Sequence, residues 1–266
     1  MTEQSQVSET ALSTAFLRAL SCYENDQNGQ DYLAEIFLPQ DRRIQIKNTG
    51  YRNIAKERIQ NGTYEYVAAR TSYFDKFFLD CLKDNFAQIV LLGAGYDSRA
   101  YRFKEYMQNS QIFEVDASFT QNQKIDILNY NNISSSHVNF VAVDFEKDSL
   151  TDMLFVAGFD KQKKTAFIWE GVTLYLSKEA VQSTLRNIME ISSTGSLLGF
   201  DYLNFNPDKA PKIIRKDEIV QFGTDKKSME TFMGNYGFSV IENLETIKPT
   251  MNFLKAVFKH QIPQSD

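Results

Sequence analysis

A short apolar run that leads into two glycines constrains the fold of this 266-residue sequence more than any other feature. Residues 89–92 are all aliphatic, and Gly93, Ala94 and Gly95 follow at once. A continuous apolar run of this length is typical of a strand buried on both faces, as in a parallel sheet. The glycines let the backbone turn sharply and approach a ligand closely. The sequence therefore predicts an α/β fold with a ligand site where this strand ends.

The same pattern recurs along the chain and predicts the whole sheet. Three further apolar runs follow at intervals of roughly 25 residues, which is the spacing of a strand–helix–strand unit. Three later segments also read as strands, and helical spacing of apolar residues fills the intervals between runs. The predicted strands are 88–92, 111–115, 138–143, 165–169, 196–202, 238–244 and 253–258. This succession predicts a seven-stranded, doubly wound α/β sheet.

The residues before the first strand read as helices. Apolar side chains recur at helical spacing in 10–20 and in the Phe-rich segment 68–82. We therefore expect one domain over residues 1–266. Its predicted parts are a helical N-terminal cover (1–83), a core (84–203), a polar insert or lid (204–227) and a final helix with two strands (228–266).

Composition narrows the possible functions. The chain has 29 basic and 34 acidic side chains, a net charge of −5, so binding of nucleic acid through bulk charge is not expected. Neither the cysteines (Cys22, Cys81) nor the histidines (His137, His260) show metal-ligand spacing, so no metal is expected. Nothing resembles a leader peptide or a membrane span. We expect a cytoplasmic protein without a membrane partner, and the oligomeric state stays open.

Acidic residues follow three of the predicted strands. Asp116 lies roughly 20 residues beyond the glycine turn, where an acid commonly binds the ribose hydroxyls of an adenosine ligand. Asp144 and Phe145 could contact an adenine ring, and Glu170 ends the fourth strand. Each acid could instead cap a helix or a turn. Because the ends of parallel strands share one edge, the pattern favours an adenosine site there.

Several motifs, in order, resemble the leucine carboxyl methyltransferase family of S-adenosylmethionine-dependent methyltransferases. They include the upstream arginine segment around Arg70, the glycine motif 93–103, and Phe113-Glu114-Val115-Asp116 with Lys124 downstream. Residues 169–176, at the end of the fourth predicted strand, resemble a further motif of this family, its fourth-strand motif. The chain departs from the family pattern where Ala117-Ser118 replaces a stretch that commonly contains Pro.

The resemblance implies a Rossmann-like class I methyltransferase fold whose last strand is antiparallel, with S-adenosyl-L-methionine as cofactor. It implies that Arg70 pairs with the methionine carboxylate, that Asp116 binds the ribose, and that Glu170 lies near the amino group. The full set of implied cofactor-binding residues is Arg70, Gly93, Ala94, Gly95, Asp97, Asp116, Ala117, Asp144, Phe145 and Glu170.

The methyl acceptor is less constrained. Methyl transfer to a carboxylate needs no general base, whereas a hydroxyl would benefit from one, and no histidine stands in an obvious place for that task. We therefore expect O-methylation of a carboxylate or hydroxyl on a small molecule, with Tyr175 and Arg99 as candidates to face the acceptor; either could instead be structural. The alternatives are a protein C-terminal carboxyl methyltransferase, an NAD-dependent oxidoreductase and a non-catalytic adenosine-ligand-binding module. The oxidoreductase is disfavoured because Ser98 replaces the third glycine of the dinucleotide motif.

Overall fold

The computed structural model describes residues 9–24, 31–60, 62–204, 213–215, 218–219, 221–246 and 251–259. A seven-stranded sheet runs through the molecule. Its strands are β1 (Gln88–Leu92), β2 (Gln111–Asp116), β3 (Val138–Ala142), β4 (Thr165–Trp169), β5 (Leu197–Leu203), β8 (Phe238–Glu245) and β9 (Met251–Phe258). A separate two-stranded hairpin consists of β6 (Ile213–Arg215) and β7 (Glu218–Ile219).

The strand order across the large sheet is β3-β2-β1-β4-β5-β9-β8. Strands β1 to β5 are mutually parallel, so their carboxyl ends lie at one edge. Strand β9 runs antiparallel to both of its neighbours, β5 and β8. The predicted fold class is therefore confirmed, including the antiparallel last strand.

Helices cover both faces of the sheet. They are α1 (Glu9–Glu24), α2 (Gln40–Gln45), α3 (Thr49–Arg58), α4 (Thr63–Lys83), α5 (Arg99–Arg102), α6 (Ser118–Tyr130), α7 (Leu150–Val156), α8 (Lys178–Ile191) and α9 (Lys226–Gly234). The start of α8 shows why a helix begins at this point in the sequence. The Ser177 hydroxyl accepts a hydrogen bond from the Ala180 amide, so Ser177 caps the helix as expected.

The molecule has two hydrophobic cores, one on each face of the sheet, because successive side chains of a strand point to opposite faces. In β1, Ile89 and Leu91 face the cluster that includes α1 and α4, whereas Val90 and Leu92 face the cluster beneath α7, α8 and α9. This alternation explains why β1 is apolar throughout, because both of its faces are buried.

Two local features differ from expectation. The helix after the glycine turn, α5, is only four residues long, so it supplies little of the helix N-terminal field that a longer helix would provide. The predicted insert 204–227 contains the β6–β7 hairpin, but its residues 205–212, 216–217 and 220 lie outside the described part of the chain. Its end is anchored at the fourth-strand motif, because the Gln221 amide donates to the Leu174 carbonyl at 2.8 Å.

Among the described helices, none combines the length and the apolar character needed to cross a membrane.

The contact between α4 and β5 gives a stability prediction. A Cβ at Gly199 would lie 2.4 Å from Cε1 of Phe77, whereas one at Gly234 would meet nothing within 4 Å. We expect Gly199→Ala to lower the free energy of unfolding by about 1–3 kcal/mol, because the core must shift to admit the methyl group. The matched change Gly234→Ala, in α9, should be neutral or stabilising by up to about 1 kcal/mol. Urea unfolding measures both, and equal midpoints for the two variants would contradict this packing.

Candidate functional site

The glycine turn after β1 lies at the shared carboxyl edge of the parallel strands. Gly93 and Gly95 have φ values of +66° and +44°, a region that favours glycine. A Cβ at Gly93 would also lie 2.3 Å from Cγ2 of Val172, in the loop after β4. The turn therefore needs glycine for its backbone conformation and for its close approach to the neighbouring loop.

Asp116, at the end of β2, closes this turn. Its carboxylate accepts from the Gly95 amide at 2.5 Å and from the Ala117 amide at 2.7 Å. Burial raises the pKa of Asp116, and the two amide hydrogen bonds oppose that rise. The structure thus brings Asp116 and the glycine turn into contact at the shared edge of the strands.

A network of buried charged side chains lies beside the turn and joins the N-terminal helices to the sheet. It contains four arginines and five carboxylates, so it carries one net negative charge. Its members are Arg18, Arg70, Arg99, Arg102, Asp31, Asp75, Asp97, Glu170 and Asp201. Their side chains are all shielded from solvent; those of Glu170 and Arg102 are 5% and 3% exposed, and that of Asp201 is fully buried.

Glu170 is the centre of this network. Its carboxylate lies 2.7 Å from Nη2 of Arg18, 2.9 Å from Nε of Arg70 and 2.7 Å from Nη1 of Arg99. Burial alone would raise the pKa of Glu170, but the three guanidinium groups outweigh it and hold the pKa well below its usual range. Glu170 is therefore a fixed anion at neutral pH.

Asp201, in β5, forms the second centre. Its Oδ1 accepts from the Gly171 amide at 2.6 Å, and its Oδ2 accepts from the Tyr66 hydroxyl and from Nη1 of Arg70, the latter at 3.3 Å. These contacts place Arg70 between two carboxylates, Glu170 and Asp201.

Several buried polar atoms of the network lack a well-directed hydrogen bond among the described residues. They are Nε of Arg18, Nε of Arg70, Nη2 of Arg99, Oδ2 of Asp31 and Oε2 of Glu170, and the two carboxylate oxygens each lie within ion-pair distance of an arginine. The Arg70 Nε and Glu170 Oε1 atoms are 2.9 Å apart, which is close enough for an ion pair but not aligned as a hydrogen bond. Unsatisfied N–H donors suit a carboxylate, and a carboxylate whose oxygens can accept further hydrogen bonds suits an ammonium group. The donor set therefore fits an amino acid zwitterion.

Two predicted residues lie at the end of β3. Phe145 packs on Trp169, with ring centroids 6.3 Å apart. The Asp144 carboxylate accepts from the Glu146 amide at 3.0 Å and pairs with Lys147 at 2.6 Å, and that pairing chiefly lowers the pKa of Asp144. Asp144 thus makes the local turn contacts that the sequence left open as an alternative, at the edge where an adenine would lie.

The two acceptor candidates differ in their surroundings. Arg99 is fully buried and contacts Asp75, Asp97 and Glu170, so its geometry is that of fold support rather than of an acceptor contact. Asp97 belongs to the same buried network. Burial alone would raise the pKa of Asp97, but Arg99 and Arg18 outweigh it and hold this pKa below its usual value. Tyr175 is half-buried, in a short 3-10 turn beside the anchored end of the insert, and remains a candidate.

Sequence reasoning missed six members of this site. They are Arg18, Asp31, Tyr66, Asp75, Arg102 and Asp201. A usable signal existed at two of them, because Arg18 interrupts the apolar face of α1 and Asp201 interrupts an otherwise apolar strand. A charged residue inside a buried segment needs a buried partner, which is a site hypothesis in itself.

The histidine that the structure describes, His137, lies away from this edge of the sheet. His137 precedes β3, at its amino end, and lies 2.8 Å from the Ala100 carbonyl oxygen. His260 lies outside the described residues. In the part of the chain that the structure describes, no group of three or more His, Cys, Asp or Glu is arranged to hold a metal ion.

Comparison with known proteins decides the family. A sequence model of the leucine carboxyl methyltransferase family matches residues 11–189 of this chain. The chain belongs to this family. The family resemblance drawn from the sequence motifs is therefore confirmed, and the match includes the N-terminal helices that carry Arg18 and Arg70.

Two curated relatives show the extent of the likeness. A Bacillus subtilis (strain 168) protein, named as a candidate S-adenosyl-L-methionine-dependent methyltransferase (YktD), is 32% identical over 219 residues, covering 75% of this chain and 72% of that protein. A Mycobacterium marinum protein with the same kind of name is 32% identical over 147 residues, which are 55% of this chain and 47% of that protein. This chain thus spans about half the length of some of the curated relatives it matches.

Solved structures establish the fold independently. The PH0226 protein from Pyrococcus horikoshii OT3 has a TM-score of 0.54 at 11% identity, covering 75% of this chain and 93% of that one. Magnesium protoporphyrin IX methyltransferase from Synechocystis PCC 6803 has a TM-score of 0.51 at 11% identity, covering 78% and 92%. At this identity the likeness concerns the fold alone.

The Glu170 network gives a prediction that depends on pH. We expect Glu170→Gln to lower the free energy of unfolding by about 3 kcal/mol at pH 7, because it removes the anion shared by three buried arginines. The matched change Glu245→Gln breaks only an exposed pair with Lys226 and should cost less than about 1 kcal/mol.

The pH dependence follows from the lowered pKa of Glu170. The unfolded chain takes up a proton at this residue near pH 4.3, whereas the folded chain does not. The stability advantage of wild type over Glu170→Gln should therefore be constant above about pH 5 and shrink below about pH 4.3. Urea unfolding of both proteins between pH 3.5 and 8, in steps of about half a unit, measures it. If the stability advantage of wild type over Glu170→Gln grew as the pH was lowered, Glu170 would not be the buried anion assigned here.

Proposed function

We propose that this chain is an S-adenosylmethionine-dependent methyltransferase that methylates oxygen on a small molecule. The observation that carries the proposal is the buried Arg18–Arg70–Glu170 cluster beside the Asp116 turn. Its unsatisfied N–H donors would suit the carboxylate of a methionine moiety, and the Glu170 carboxylate would suit its amino group. The family membership and the names of the relatives support S-adenosylmethionine as the cofactor.

The chain's own residues divide the binding task among them. Arg70 would pair with the methionine carboxylate and Glu170 with the amino group, while Asp116 would bind the ribose hydroxyls. The backbone of Gly93, Ala94 and Gly95 would lie along the methionine part. When bound, the cofactor supplies a methyl group on a positively charged sulfur, which makes the leaving group good without further activation.

The wall around the adenine would come from the ends of β2, β3 and β4. Ala117 follows Asp116, and the Asp144 carboxylate would accept from the adenine amino group. Phe145, already packed on Trp169, would cover one face of the ring. Asp97 would support the site from the interior through its ion pair with Arg99.

Alignment is the main catalytic contribution that this protein can make. An in-line displacement needs the acceptor oxygen held opposite the leaving sulfur, and such orientation can supply several kcal/mol of the barrier. The network fixes the cofactor end through groups that are already buried and ordered, so little reorganisation accompanies the reaction. Tyr175, on the loop after β4, is our candidate for an acceptor contact.

The electrostatics favour an acceptor that is already an anion. The carboxylates of the cluster, including Glu170 and Asp201, are each occupied by arginine partners or hydrogen-bond donors. A paired carboxylate is a poor proton acceptor, so a neutral hydroxyl would lack a base here. A carboxylate or an acidic phenol needs no base. A cytoplasmic location is part of the proposal, since Cys22 and Cys81 are both free thiols.

Three alternatives remain testable against this proposal. A protein C-terminal carboxylate would use the same chemistry on a larger acceptor. An NAD-dependent oxidoreductase shares the glycine turn and Asp116 but has no use for a zwitterion site. A non-catalytic binding module would bind the cofactor without transferring label.

Cofactor binding can be followed through the one tryptophan of the sequence, Trp169, which is buried beside Phe145. We expect S-adenosylhomocysteine to change its fluorescence and NAD to leave it unchanged. Arg70→Met and Asp116→Asn should each weaken the binding of S-adenosylhomocysteine at least about tenfold, because each removes a charged ligand contact.

The controls for this experiment are matched substitutions on the surface. Arg186→Met in α8 and Asp126→Asn in α6 change the same residue types at exposed positions and should leave the affinity unchanged. Full affinity in the Arg70→Met/Asp116→Asn double variant would overturn the proposed site.

The acceptor class can be read from the stability of the product. Incubation with cofactor labelled in the methyl group and with a metabolite extract should give a labelled small molecule. If the acceptor is a carboxylate, mild base will release the label as methanol, because a methyl ester hydrolyses and a methyl ether does not. Base-stable label would assign a hydroxyl acceptor, label in the macromolecular fraction a protein acceptor, and no label a binding module.

A further inference from the structure

The carboxylate of Asp201 connects three elements of the site. Asp201 is fully buried at the carboxyl end of β5. Its Oδ1 accepts from the backbone amide of Gly171, which follows Glu170 directly, at 2.6 Å. Its Oδ2 accepts from the Tyr66 hydroxyl and from Nη1 of Arg70. A single side chain thus contacts the loop after β4 and two residues of helix α4.

Tyr66 and Arg70 are one helical turn apart on α4, so they share a face of the helix. The guanidinium carbon of Arg70 lies 5.3 Å from the centroid of the Tyr66 ring, within the range of a cation–π contact. Burial, and next the neighbouring Asp201 carboxylate, raise the pKa of Tyr66 well above its usual value. The hydroxyl therefore keeps its proton and acts as a donor to Asp201.

The remaining sides of the Arg70 guanidinium are also fixed. Its Nε lies 2.9 Å from Glu170. A Cβ at Gly171 would come within 2.8 Å of Nη1 and 3.2 Å of Nη2, so the group lies flat against that glycine. Ring, backbone and two carboxylates together determine where this guanidinium points.

The distances indicate how the two carboxylates share Arg70. The contact of Nη1 with Asp201 is 3.3 Å, longer than the 2.9 Å contact of Nε with Glu170. Asp201 already receives two other donors, Tyr66 and the Gly171 amide. Without the Tyr66 hydroxyl, the buried Oδ2 would have to be satisfied by Arg70 alone, and the guanidinium would be drawn toward Asp201.

We propose that Tyr66 and Asp201 form a positioning pair for Arg70, in which Tyr66 moderates the hold of Asp201 on the guanidinium so that Arg70 can bind the carboxylate of the amino acid part of the cofactor. This inference rests on the proposed function. It assigns a role to Tyr66 and Asp201 that acts through Arg70, so neither is a catalytic residue.

Loss of a residue that only supports the fold would weaken the binding of any ligand at this site. Loss of a residue that positions Arg70 should weaken only ligands that carry the amino acid part. S-adenosylhomocysteine carries both the adenosyl group and an amino acid zwitterion. 5′-Methylthioadenosine carries the adenosyl group and its sulfur but lacks the amino acid part. If Tyr66 acts through Arg70, its loss will weaken binding of the first ligand and leave the second nearly unchanged.

The test compares Tyr66→Phe with Tyr73→Phe. Both tyrosines lie on α4 and both donate to a carboxylate, but the Tyr73 hydroxyl bonds to Glu242 at 2.7 Å, on β8, away from Arg70. Titration calorimetry of wild type and both variants with the two ligands gives the affinities. We expect Tyr66→Phe to weaken S-adenosylhomocysteine about tenfold and 5′-methylthioadenosine less than about twofold. Tyr73→Phe should change neither.

Two background variants test whether Tyr66 acts through Asp201 and Arg70. Asp201→Asn keeps the shape of the side chain but removes the charge whose hold on Arg70 is moderated by Tyr66, so Tyr66→Phe should cause no selective loss of S-adenosylhomocysteine affinity in that background. In an Arg70→Met background, Tyr66→Phe should cause no further loss of S-adenosylhomocysteine affinity, because the residue it positions is gone.

The outcomes separate this inference from the function on which it rests. If wild type binds S-adenosylhomocysteine and Tyr66→Phe weakens both ligands equally, or neither, then the positioning role is wrong and the proposed function stands. Additive losses in the Arg70→Met background would also overturn it. If wild type does not bind S-adenosylhomocysteine, both the function and the inference fail.

Discussion

The buried carboxylate of Glu170 is the interaction on which the rest of this structure depends. It meets arginines from three different elements: Arg18 of α1, Arg70 of α4 and Arg99 of α5. These contacts join the N-terminal helices to the carboxyl edge of the sheet. Because the three cations surround one anion, a displacement of any of the three helices would weaken the pairing of buried charges, which is costly.

We propose a functional rather than a stabilising role for this network. Desolvating a charged group costs several kcal/mol, and a buried ion pair often contributes no more than well-packed apolar side chains would. Here nine charged side chains are concentrated beside the glycine turn, and several of their polar atoms lack well-directed partners among the described residues. In the function we propose, such an arrangement would present charges to the ligand from buried positions, where electrostatic contacts are strong.

The sheet and its site edge could be predicted because they depend on local patterns. Residues 88–92 are buried on both faces, and this requirement shows directly as an unbroken apolar run. Asp116 was predictable because a parallel strand–helix–strand unit places the end of the second strand beside the glycine turn. The Gly95–Asp116 hydrogen bond shows the consequence. Arg99 was ambiguous in the sequence, since an arginine after a turn can face either solvent or the interior.

The sequence by itself determined the order of strands and helices, the glycine turn, the acids at the strand ends and the family to which the chain belongs. Only the tertiary structure decided how the charges pair. Arg18 and Glu170 are 152 residues apart, and Tyr66 and Asp201 are 135 apart. Periodicity encodes whether a side chain is buried, because burial depends on the face of a helix or strand on which the residue lies. It does not encode which distant partner meets that side chain, because the pairing depends on how the helices pack across the sheet.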